Sequence, residues 1–165
     1  MFELKSLSKE AVPAALAKAE RYRLLNDPVE AESICLDVLA VDAGNREARV
    51  MLLLSLTDQF NGDQTAVRRA QDVLASFDRP YDQAYYAGII AERRAWAMLR
   101  QASPGADTAA YEYVRDAMAQ FERAEALRPP GNDEALLRWN TCVRLLQRNP
   151  RMRPVQEEPF VPMLE

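Results

Sequence analysis

Two cysteines, Cys35 and Cys142, are the thiols of a 165-residue chain that contains no histidine. A catalytic thiol or hydroxyl needs a base beside it, so no Ser–His or Cys–His arrangement can be assembled here. Cys35 falls on the apolar stripe of one predicted helix. Cys142 sits beside Trp139 and Val143 on another. Both read as packed thiols, and their wide separation has no metal-like spacing. The acidic pairs Glu30/Glu32 and Glu157/Glu158 read as solvated charge, because no spacing turns them into paired acids or a metal site. Glycines at 44, 62, 88, 105 and 131 are too dispersed to build a phosphate-cradling loop. Arg68–Arg69 and Arg93–Arg94 have the charge for phosphate. Glu92 adjoins the second pair, and a solvated or salt-bridged helix face is the better reading. The expectation is a protein with no catalytic residues, no metal and no cofactor; an enzyme is the weakest reading.

Composition narrows the remaining classes. Apolar residues make up 48% of the chain, which removes a disordered polymer from consideration. The net charge of −4 argues against a general nucleic-acid binder, which needs a basic stripe to displace counterions. No apolar run approaches the ~18 residues of a membrane span, so no membrane partner is expected. The opening MFELKSLSKEAV carries charge where a signal peptide has its apolar centre. With unpaired, distant cysteines, this predicts a reduced, cytoplasmic protein of bacterial type. Lys5, Lys9 and Lys18 are the only lysines among 21 basic residues. The arginine bias is that of a GC-rich genome. It also suits interfaces, since a guanidinium pairs and stacks well.

These residues must be positioned by helices. Apolar side chains recur at intervals of three and four, glycine is scarce, and strong helix formers dominate. Turn signals divide the chain into seven helices at about 10–25, 28–41, 46–60, 63–77, 81–101, 107–128 and 133–148. Pro13 is tolerable only in a first turn and Pro28 suits a first helical position. Asn132 or Asp133 is the expected cap of the last helix. The organisation predicted is an all-α helical domain over 1–148 and a Pro-rich C-terminal tail over 149–165, RMRPVQEEPFVPMLE following the NP of 149–150.

One rhythm occurs twice. Ala31, Cys35, Val38 and Val41 are spaced as are Ala117, Phe121, Ala124 and Leu127, and a turn follows each set. A small residue lets two helices approach, and a larger one a turn later fills the space beside it. Ala19, Tyr22 and Asn26 extend the pattern upstream, Asn26 in a turn slot usually held by glycine. Ala66, Ala70 and Val73 follow it loosely, and Gly88 takes the small slot of a third unit among Ala84, Ala87 and Ala91. The pattern resembles the tetratricopeptide repeat, a helix–turn–helix unit, over about 12–148 in roughly three and a half degenerate copies. Ala31 to Ala66 is about 35 residues, close to the repeat of roughly 34, whereas Ala66 to Ala117 is about 51, so the third unit is longer. A related solenoid of helical hairpins is the structural alternative.

The resemblance implies an α-solenoid of antiparallel helix hairpins whose first helices line a concave groove. The residues it places there are Leu16, Glu20, Arg23 and Leu24, then Val50, Leu54, Thr57 and Asp58. They are followed by Tyr85, Ile89, Glu92 and Arg93 with Trp96 one turn on, and by Leu137, Thr141, Arg144 and Leu145. Core burial is an equal expectation for Val50, Leu54 and Ile89. Chaperone-docking members hold a peptide's terminal carboxylate with Lys, Asn and Arg at slots that here carry Leu16, Glu20, Val50, Leu54, Tyr85 and Ile89. That role is therefore not implied. Apolar Phe160, Val161 and Leu164, stiffened by Pro159 and Pro162, are expected to dock on an apolar surface of this chain or a partner. The function expected is a protein–protein interaction adaptor or scaffold whose partner supplies a helix or extended peptide segment. The alternative is a structural subunit that forms a homo-oligomer or caps a larger multiprotein assembly.

Overall fold

A computed structural model describes residues 1–62 and 64–155. Among them are seven α-helices: α1 (Val12–Leu24), α2 (Pro28–Val41), α3 (Arg46–Thr57), α4 (Gln64–Ala75), α5 (Pro80–Gln101), α6 (Ala106–Leu127) and α7 (Glu134–Arg148). No described residue is in a strand. The helix order follows the turn signals, with α1, α3 and α4 shorter than the periodicity predicts. A 3-10 turn, Lys9–Ala11, leads into α1 and accounts for its later start.

The chain's own side chains set the helix ends. Pro13, Pro28 and Pro80 each lie in a first turn, where the missing N–H is not needed. Asp27 accepts from the Glu30 amide at 3.3 Å and Asn45 from the Ala48 amide at 2.9 Å, satisfying donors that a helix leaves open. At α7 the capping oxygen belongs to Asn132, which accepts from the Glu134 amide at 3.0 Å. Asn26 has φ of 60°, the left-handed turn for which the repeat pattern ordinarily uses glycine and which asparagine tolerates.

Packing follows chain order. Each helix packs on the next, and α1–α3 and α3–α5 also touch. Contact is most extensive between the long helices α5 and α6 and, among consecutive helices, least between α4 and α5. Gly88 lets α5 and α6 approach: a Cβ there would stand 2.5 Å from the Phe121 ring. Phe121 is fully buried and also meets the Tyr85 ring at 5.9 Å between centroids. Ala31, Cys35 and Val38 are completely buried, as are Ala117, Phe121 and Ala124, so these positions of the repeated rhythm are core. The fourth positions are not: Leu127, the last residue of α6, is exposed.

One apolar core runs from Ala19 to Met152, and a smaller one joins Val12, Leu16, Val38 and Ala48. Met152 lies beyond the expected end of the helical domain at 148. Its amide donates to the Asn149 carbonyl at 2.9 Å, and its side chain is buried. The first part of the predicted tail is therefore packed against the helices. Phe160, Val161 and Leu164 lie outside the described residues.

Candidate functional site

The C-terminal ends of α1 and α3 meet the outer half of α5 in a cleft of about 460 Å³. Arg23 and Asn26 come from the end of α1, Asp58, Phe60 and Asn61 from the end of α3, and Arg93 and Arg100 from α5. Arg23 and Asp58 are 35 residues apart, and Arg93 follows at the same interval, in the C-terminal half of α5.

Asp58 serves two guanidiniums unequally. Arg23 donates its Nε–H to Asp58 at 2.7 Å, and an Arg93 terminal nitrogen lies 3.8 Å away. The first is a charge-assisted hydrogen bond and the second is beyond hydrogen-bond range. Arg93 Nε is buried and has no hydrogen-bond partner. Arg100 donates to the Phe60 carbonyl at 2.9 Å, in the turn that follows α3. Among the described residues lining the cleft, Asp58 is the one carboxylate.

Glu92, next in sequence to Arg93, turns the other way, into the α5–α7 seam. It is 3% exposed and meets Arg138 at 3.4 Å. Burial pushes its carboxyl above the usual range, opposed by Arg138, Arg93 and Trp96. Tyr85 shares this seam, and burial raises its phenol as well. Further pairs stitch the helices. Arg46 grips buried Asp82 through two bonds of 2.8 and 2.7 Å, linking α3 to α5. Arg69 and Gln59 both reach Glu32, joining α4 and the end of α3 to α2. Ion pairs thus run from α1 to α3, from α3 to α5 and from α5 to α7.

The residues proposed for a groove fall into two groups. Leu16, Tyr85, Ile89 and Glu92 are buried, their surfaces already spent on packing within the chain, so they are not open to a partner. Val50 and Leu54 are half-buried against the same core. Arg23 and Arg93 are brought together in the cleft, and Trp96, 36% exposed, follows on α5. Glu20 and Arg144 are exposed, and Leu137 is 62% exposed on α7. Arg100 was not singled out by sequence, because it lies beyond the repeat slots in the added length of α5. The interval from Arg23 through Asp58 to Arg93 is the signal that marks the cleft.

Cys35 and Cys142 are buried, and burial pushes both thiols up to about 12, which keeps them protonated at neutral pH. Among the described residues, no group of three or more Cys, Asp or Glu is placed to hold a metal ion, and no helix is long and apolar enough to cross a membrane. No protein-family model, curated protein or solved structure matches the chain.

Proposed function

We propose that the chain is a non-enzymatic adaptor that binds another protein across the edge formed by α1, α3, α5 and α7. The single observation carrying this reading is the series of ion pairs joining those helices, Arg23–Asp58, Arg46–Asp82 and Glu92–Arg138. Helices linked in that order resemble the first helices of stacked hairpins, which supports a tetratricopeptide-like solenoid. The chain also presents the arginine cleft, exposed Trp96 on α5 and exposed Leu137 on α7, and aromatic and arginine anchors carry most energy at interfaces. A cytoplasmic location belongs to the same proposal, supported by two free buried cysteines.

The test is partner retention from the native host by the wild type against the Trp96→Ala/Leu137→Ala variant. Specific retention by the wild type, at least tenfold loss in the variant and equal helicity by circular dichroism are expected. Equal retention moves the binding site elsewhere. A self-associating subunit is the second reading, favoured by Leu24, Leu25 and Val29, which are exposed together at the α1–α2 turn. Size-exclusion chromatography with light scattering separates the two: a monomer supports the adaptor, a concentration-independent dimer the subunit.

A further inference from the structure

We infer that the cleft between the ends of α1 and α3 and the outer half of α5 receives an acidic segment of the partner protein, its Asp or Glu carboxylates seated on Arg93 and Arg100. This inference rests on the adaptor reading and names the chemistry of what the adaptor holds.

Charge comes first. The chain carries a net charge of −4, yet this cleft gathers Arg23, Arg93 and Arg100 around Asp58 alone among the described lining residues. A basic concavity on an acidic protein concentrates anions where the rest of the surface repels them. Hydrogen-bonding capacity comes second. Arg23 has taken Asp58 at 2.7 Å, which leaves Arg93 at 3.8 Å from its nearest carboxylate and with Nε buried and unpartnered. The Arg93 side chain is 33% exposed, so its guanidinium is reachable from the cleft, and a carboxylate is the acceptor whose geometry matches a guanidinium fork. Arg100 spends one nitrogen on the Phe60 carbonyl, and a guanidinium has five N–H groups.

The occupant follows from the same features. A cleft of about 460 Å³ with an open side accommodates a few side chains of an extended peptide. Asp58 in its wall repels a dianionic phosphate more than it repels a single carboxylate. The acidic balance of the whole chain disfavours a nucleic-acid backbone. An acidic peptide meets both conditions.

Fluorescence anisotropy on the full chain tests this, using a labelled, amidated peptide of alternating Asp and Ala, a matched peptide of Asn and Ala, and inorganic phosphate as competitor. The Asp peptide is expected to bind, to lose at least tenfold in affinity with Arg93→Ala and separately with Arg100→Ala, and to weaken steeply with salt, while the Asn peptide does not bind. Unchanged thermal midpoints in both variants keep the loss assigned to the cleft. Equal binding by the two peptides, equal affinity in the variants, or displacement by equimolar phosphate overturns the inference, the last assigning the cleft to inorganic anions. Partner retention that depends on Trp96 and Leu137 but survives both arginine changes rejects the acidic-segment inference and leaves the adaptor standing. Retention indifferent to all four residues rejects both.

Discussion

Helix α5 takes part in two regions built on opposite terms. Toward α6 it presents Gly88 to the Phe121 ring, with a clearance that would not admit one added carbon. Toward the ends of α1 and α3 it presents Arg93 and Arg100, with a half-shared carboxylate and an unpartnered nitrogen. The first region is filled around Phe121, which is fully buried. The second places partly exposed arginines, one of them without a close carboxylate, along an open cleft. A single helix thus divides into a face that holds the fold and a face left available for a ligand, and the change occurs between consecutive residues, Glu92 and Arg93.

Substitutions break this contrast in order of size. Phe121→Ala empties the α5–α6 seam, and a loss of about 3–5 kcal/mol in denaturant unfolding is expected for removing a fully buried aromatic. Gly88→Ala overfills the same seam against a ring that is itself enclosed, with an expected loss of about 1–3 kcal/mol by the same measurement. A surface-like response at either position would mean that the two helices do not nest as described.

Glu92 stands between the regions and gives the contrast a pH dependence. Burial raises its carboxyl above the ordinary value of 4.5, so ionising it costs the folded chain more than the unfolded one. Its contribution is most favourable below that ordinary value and is lost as pH rises through the raised one. The stability of the wild type relative to Glu92→Gln is therefore expected to fall as pH climbs from 4.5, measured as paired unfolding curves. A difference that grows with pH would mean that Arg138 outweighs burial. The smallest stability effect is expected at the cleft. Arg93→Ala removes only a long, partly exposed pair, and a change within about 1 kcal/mol is expected despite the loss of anion binding.

The helices are readable where local signals end them: Pro13 and Pro28 in first turns, Asn26 in a left-handed turn, Asn132 at a cap. The rhythm of Ala31, Cys35 and Val38 marked core because a small residue beside a larger one has meaning only where helices touch. The face of each first helix was harder to read. Tyr85, Ile89 and Glu92 lie at spacings that suit a groove, yet the tight α5–α6 contact and the Arg138 pair draw them inward. No local pattern carries that outcome, since it depends on how far neighbouring helices extend. Arg100 escaped for the same reason, its role arising from a turn carbonyl 40 residues earlier in the chain.

In the adaptor reading a partner sits on the open edge and not on the filled seam. Hydrogen–deuterium exchange of the full chain, alone and with the partner retained from its host, measures this directly. Protection is predicted at the end of α1, the end of α3 and the stretch of α5 from Arg93 to Arg100, with α4 and the outer face of α6 unchanged. Protection confined to α4 and α6, with the arginine cleft exchanging as in the free chain, would contradict it.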